Sequence, residues 1–232
     1  MAQYTLPQQK AQLMEDLIAQ IVDSLKSDPK VVGVLLTGSR ARGDASPFAD
    51  IDFWVLLSGV TERGFRSYEQ DGHLVEIHFR NLVQARDKMR RHPMELYSHL
   101  DGRILHDPEG KLAALRLEAQ QLFEAYEVPE AERKALAHWL ETARRKLQSA
   151  LQEQARLKMG YFSSIQSQKI LEGLWAANNK PVPPAGAVFT HLTRLETPLP
   201  HFELIEGLFA GDPLKRCKTA LTLIDWILPR IN

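Results

Sequence analysis

Residues 35–55 read LLTGSRARGDASPFADIDFWV. The stretch opens inside VVGVLLT (31–37), an apolar, β-branched run that predicts a buried strand ending at a Gly38-Ser39 turn. After ten intervening residues, Asp50-Ile51-Asp52 starts IDFWVLL (51–57), which reads as a second buried strand. Side chains alternate along a strand, so Asp50 and Asp52 point one way and Ile51 the other. Two adjacent carboxylates repel unless a cation lies between them. Hard oxygen donors of this kind suit Mg²⁺, which bridges to substrate phosphates.

Gly38 and Ser39 supply the complementary half. A glycine lets the backbone approach a phosphate, and the turn leads into a short helical stretch through Arg40–Arg42 whose N–H groups face an anion. The Ser39 hydroxyl adds a hydrogen bond, and Arg40 or Arg42 can meet phosphate charge, unless Arg42 pairs with Asp44 instead. A third acid comes from HLVEIHFR (73–80). There Val75, Ile77 and Phe79 make an apolar face, with Leu74, Glu76 and His78 opposite. If this strand neighbours the Asp-Ile-Asp strand, Glu76 reaches the same cleft as a metal ligand or general base.

On these residues the segment resembles the DNA polymerase β-type nucleotidyltransferase superfamily, whose pattern is a hydrophobic residue, Gly-Ser, a spacer, then Asp-hydrophobic-Asp. The wording GSRARGDASPFADID is similar to small bacterial members, the minimal and antibiotic (aminoglycoside-like) nucleotidyltransferases with a C-terminal helical domain. The third carboxylate, a glutamate in LVEIHF, departs from the familiar context. The resemblance implies an enzyme that moves a nucleoside monophosphate from a nucleoside triphosphate, ATP in first place, to an acceptor hydroxyl. Asp50, Asp52 and Glu76 are the expected catalytic and metal-binding residues for two Mg²⁺ ions. Gly38, Ser39 and Arg42 are the expected nucleotide-binding residues. A small aminoglycoside-like acceptor leads, with a protein hydroxyl or an RNA end second. The competing class is a non-catalytic, antitoxin-like nucleotide-binding module, against which the presence of all three acids speaks.

Outward from the motif, Leu13, Leu17, Ile21 and Leu25 predict an amphipathic helix over 8–27. Asp71-Gly72 predicts a two-residue hairpin between strands 65–70 and 73–80. Asn81 is read as the cap of a helix over 82–100, and 103–106 as a short strand. From Pro108 the texture becomes helical: one helix through KLAALRLEAQQLFEAY, a second over 129–159, a third over 161–177, and shorter ones over 201–210 and 213–229. Five prolines mark 180–200 as an irregular link. The expected architecture is an α/β (α+β) domain with a small mixed sheet (1–107), followed by an all-α bundle (108–232) that contributes to acceptor binding, with Lys169 and Glu172 as cleft-lining candidates.

Composition narrows the class. Lys plus Arg and Asp plus Glu each number 29, a net charge of zero, which argues against a grip on duplex nucleic acid. Cys217 is the sole cysteine, so no intramolecular disulfide forms. With no leader pattern and no apolar run near the ~20 residues of a membrane span, a cytoplasmic setting is expected. The histidines lack zinc-site spacing. Arg133 and His138 have the R-x₄-H spacing of HEPN-type ribonucleases, but five residues apart on a helix they do not share a stripe.

Overall fold

The computed structural model describes residues 6–60 and 64–232. The opening residues, in which no leader pattern is read, lie outside them. The chain divides into two compact units, Met1–Leu122 and Phe123–Asn232.

In the first unit the order is α1 (Leu6–Lys26), β1 (Val31–Thr37), α2 (Gly38–Arg42), β2 (Ile51–Leu57), β3 (Phe65–Gln70), β4 (His73–Asn81), α3 (Leu82–Arg91), α4 (Leu96–Asp101), β5 (Arg103–His106) and α5 (Lys111–Glu124). The strands make one mixed sheet in the order β3-β4-β2-β1-β5. β1 runs antiparallel to β2 and β5, β2 parallel to β4, and β3 antiparallel to β4. The β3–β4 hairpin turns at Asp71 and Gly72, with φ of 49° and 77°, the positive pair that an Asp-Gly turn supplies.

One sheet face carries Val34, Leu36, Ile51, Phe53, Val55, Val75 and Ile77, packed with Leu17, Ile18, Ile21 and Val22 of α1. Leu17 and Ile21 of the i, i+4 series read from sequence lie in this stripe and Leu25 packs against it, but Leu13 is 68% exposed and Ile18 and Val22 complete the stripe. At about 100° per residue a strict spacing of four drifts around the helix, whereas alternating threes and fours stay on one face. The other sheet face carries Thr37, Asp52 and Glu76 toward one end and Leu35, Trp54 and His78 beside them.

The helix expected over 82–100 is two helices. Its start is as read: Asn81 accepts from Gln84 N at 2.8 Å, and the Gln84 side chain accepts from Asn81 N at 2.9 Å. It stops at Arg91 because Pro93 disfavours helical geometry at His92, and the chain resumes as α4. α5 begins at Lys111 rather than at Pro108, and the Asp107 carboxylate accepts from Leu112 N and Ala113 N at 3.0 and 2.9 Å. α5 packs with the first unit, beyond the boundary expected at 107: Leu112 lies against Gly33, and Glu118 receives a bidentate contact from Arg86.

The second unit contains α6 (Glu130–Gln152), α7 (Arg156–Ala177), α8 (Val188–Leu192), α9 (His201–Ile205) and α10 (Pro213–Ile231). Leu140, Leu147, Ile170, Leu174, Trp175, Cys217, Leu223 and Ile227 form its core. The expected helix 129–159 ends at Gln152. Gln154 takes φ 53°, its N–H donates to Leu151 O, and Ala155 N donates to Ala150 O, the bond pair of a left-handed helix stop made without glycine. The proline-rich link contains the short α8, and a π-helical turn (Glu206–Ala210) follows α9.

Candidate active site

The Gly-Ser turn and the aspartates meet because β1 and β2 are neighbours. Thr37, the last residue of β1, pairs with Asp52. Gly38 has φ 68°, and a β-carbon placed on it would collide with the Asp52 carboxylate. Only a glycine serves there, for both reasons. The following turn is closed by the Ser39 carbonyl, which accepts from Gly43 N at 2.9 Å and Asp44 N at 3.1 Å.

Glu76 arrives from β4. The parallel β2–β4 ladder pairs Asp52 with Glu76, so both side chains leave the sheet on the same face. Asp50 stands just before β2. One carboxylate oxygen from each of Asp50, Asp52 and Glu76 lies within 4.8 Å of the others, and all three residues are half-buried. The sequence reading thus named three acids that the fold brings together.

The electrostatics show what this costs. Burial, then the charges of Asp50 and Glu76, push the Asp52 carboxyl up to about 6, with Arg42 and Arg40 pulling the other way. Three clustered carboxylates, all hard oxygen donors and one of them reluctant to ionise alone, fit a divalent cation of the Mg²⁺ type.

Of the two arginines, only Arg40 takes a task that was not read in sequence. Arg40 Nε donates to Asp50 O at 2.8 Å, one of its terminal nitrogens donates to Ala49 O, and the same group approaches His73 Nδ1 at 3.5 Å. It clamps α2 to the segment entering β2. Arg42 lies 3.1 Å from Asp44 through Nε, the pairing weighed as the alternative to a phosphate contact.

Along the same face, Arg80 stacks over Trp54 at 3.9 Å and reaches Glu95 at 3.7 Å. His99 of α4 meets Trp54 edge-on at 5.1 Å and is almost fully buried, with Nε2 lacking a hydrogen-bond partner. Burial, then Arg80 and Arg116, lower its pKa to about 4. Burial also lowers the pKa of His78, with Arg80 adding to it. Sequence reasoning passed over Arg40's backbone role and the Trp54–Arg80–His99 group. The only signal for the former was an arginine inside the motif.

Other candidates separate. A cavity of about 760 Å³ lies between α1, residues 43–47 and the β3–β4 turn, lined by Arg40 and His73 but by none of the three acids. In the second unit, Lys169 and Glu172 form an ion pair at 2.5 Å on the wall of a cavity of about 410 Å³ with Tyr126 and Trp139. Arg133 donates to Val128 O while His138 is exposed. Trp175 is core, but Tyr161 is largely exposed. Among the described residues no helix is long and apolar enough to cross a membrane.

Residues 18–106 match the nucleotidyltransferase domain family. No curated protein matches the sequence. The solved structures similar to this chain include that of a nucleotidyltransferase-like protein from Exiguobacterium sibiricum 255-15, 16% identical, with a TM-score of 0.41 over 93% of this chain and 74% of that one.

Proposed function

We propose that this protein is a Mg²⁺-dependent nucleotidyltransferase that transfers a nucleoside monophosphate from a nucleoside triphosphate, ATP foremost, to the hydroxyl of a small acceptor molecule. The observation that carries this reading is the convergence of Asp50, Asp52 and Glu76 beside the Gly38–Ser39 turn. The family match over residues 18–106 supports it.

Asp50 and Asp52 would hold Mg²⁺, with Glu76 as a further ligand or as the base. Bound Mg²⁺, two ions in this reading, would neutralise charge on the triphosphate oxygens. The Gly38–Ser39 turn receives the β- and γ-phosphates through its backbone N–H groups and the Ser39 hydroxyl. Arg42 adds positive charge from a side chain oriented by Asp44. The acceptor oxygen attacks the α-phosphorus and a new P–O bond forms. The bond to the β-phosphate's bridging oxygen breaks, and pyrophosphate leaves with that electron pair. The acceptor proton passes to the Glu76 carboxylate.

The test is pyrophosphate release from each of the four nucleoside triphosphates with Mg²⁺, over a panel of hydroxylated small molecules, protein and RNA. Asp50→Asn/Asp52→Asn runs alongside. Acceptor-dependent release that vanishes in the double variant supports the reading. A wild type that binds no triphosphate in Mg²⁺ would sink it.

A further inference from the structure

The strand order gives the site a direction. The Gly38–Ser39 turn closes β1, Asp52 lies on the next strand and Glu76 on the one beyond, with β3 at the edge. In-line displacement sets the leaving oxygen, the α-phosphorus and the attacking oxygen roughly in one line. With the leaving phosphates at the β1 end and the proton-accepting Glu76 on β4, the attacking hydroxyl enters over β4 and β3.

What the sheet presents there is specific. Glu76 pairs with Ser67, and His78 with Phe65, so these four side chains share the face on which Asp52 stands. His78 and Phe65 stand one side-chain row from Glu76 and Ser67, about 7 Å along the strand. Phe65 is 55% exposed, and its ring sits 4.9 Å from the His78 imidazole, which in turn lies 6.3 Å from Trp54. An exposed phenylalanine on an edge strand, backed by an imidazole and an indole, is a preformed surface for a ring.

The charge on this strip selects as well. Glu69 follows Ser67 on the same face by strand alternation, opposite Leu74, while Glu76 stands opposite Ser67. Among the described residues of β3 and β4, Arg66 lies over Tyr68 on the opposite face, and Arg80 is held between Trp54 and Glu95. A polynucleotide end needs lysine or arginine for its phosphates. Beside Ser67 this strip offers the carboxylates of Glu69 and Glu76, and the cations nearest His78 (Arg80 and Lys88) are both turned to Glu95.

Building on the nucleotidyl-transfer reading above, we propose that Phe65 and His78 select the acceptor, and that the acceptor is a small uncharged or cationic alcohol whose hydroxyl is borne on or beside a ring. The ring lies on Phe65 and His78, and the hydroxyl points to Glu76 with Ser67 next to it.

The test compares wild type with Phe65→Ala, His78→Gln and, on the opposite face of β3, Arg66→Ala. Each is assayed for ATP·Mg²⁺ affinity by calorimetry and for pyrophosphate release with methyl glucoside, glucosamine, phenylethanol, a seryl peptide and a short oligoribonucleotide. The expected result is release with a ring-bearing alcohol, an acceptor KM raised about tenfold or more by Phe65→Ala and about threefold by His78→Gln, and no KM change with Arg66→Ala. ATP·Mg²⁺ affinity should move by less than about twofold throughout, the KM-only signature of a lost acceptor contact. Release confined to the oligoribonucleotide or the peptide, none with any ring-bearing alcohol, or a KM indifferent to Phe65→Ala overturns the proposal. Failure of the wild type to bind ATP·Mg²⁺ is a separate result, which removes the nucleotidyl-transfer reading and this proposal with it.

Discussion

Gly38 and Asp52 share one volume: the place a β-carbon would occupy on Gly38 is already filled by the Asp52 carboxylate. The turn after β1 and the acid on β2 are thus fitted to each other. Gly38→Ala has to relieve that collision and also hold alanine at φ 68°. The cost is on the order of 1–3 kcal/mol in stability, read as a lower Tm. Because the atom displaced is a carboxylate oxygen, Mg²⁺ affinity should fall further than the Tm shift alone accounts for.

Arg40 joins the two halves of the motif through the carbonyls of Ala49 and Asp50. Arg40→Gln removes both bonds and should cost about 1–3 kcal/mol. Nucleotide turnover should drop by about tenfold or more while the fold persists, since Asp50 loses its backbone anchor. Arg40→Lys restores one bond and should recover part of the activity. Equal turnover in all three proteins would show that Asp50 needs no such anchor.

The ionisation of Asp52 gives a signed pH prediction. Its carboxyl titrates at about 6, above the ordinary 3.8, so the folded state holds the proton more tightly than the unfolded chain. The contribution of Asp52 to the stability of the metal-free protein is therefore lost as pH rises from 3.8 through 6. Asp52→Asn should raise Tm at pH near 8 and leave it little changed near pH 4 (thermal melts across that range in chelator decide it). In the wild type, added Mg²⁺ should stabilise increasingly as pH rises through 6, because the ligand set must be deprotonated.

His99 acts in the opposite pH direction. Its pKa is about 4 in the fold against an ordinary 6.5, so the unfolded chain takes up the proton first. Its neutral, buried contribution is complete above 6.5 and is lost as pH falls from 6.5 to 4. The loss is roughly 3 kcal/mol at most, since each tenfold step in proton affinity is about 1.4 kcal/mol. His99→Phe should flatten this part of the acid-denaturation curve and keep the edge-on contact with Trp54. An unchanged acid limb would mean that other groups govern it.

How much of this was legible in the sequence depends on the range of the interaction. The Gly-Ser turn, the Asp-Ile-Asp strand, the Asp71-Gly72 hairpin and the Asn81 cap are local, and the chain adopts them where they were read. The stop at Gln154 was missed because no glycine marks it; a glutamine takes the left-handed position there. Leu13 was assigned to the α1 stripe on spacing alone, whereas the sheet chooses Ile18 and Val22.

The sequence by itself determined which chemical groups are available: three carboxylates, a glycine turn and two arginines within one short motif and one later strand. Alternation along β4 also set Glu76 on one face with His78, whereas Asp50, just before β2, joins Asp52 through the fold. Only the tertiary structure decided that β4 pairs with β2 in the register that sets Glu76 opposite Asp52. It likewise decided that Arg40 spends its hydrogen bonds on backbone carbonyls, and that Phe65 stands exposed beside His78. The physical reason is that pairing register and side-chain partnership depend on contacts between residues distant along the chain. Local propensity cannot rank those contacts until the sheet has assembled.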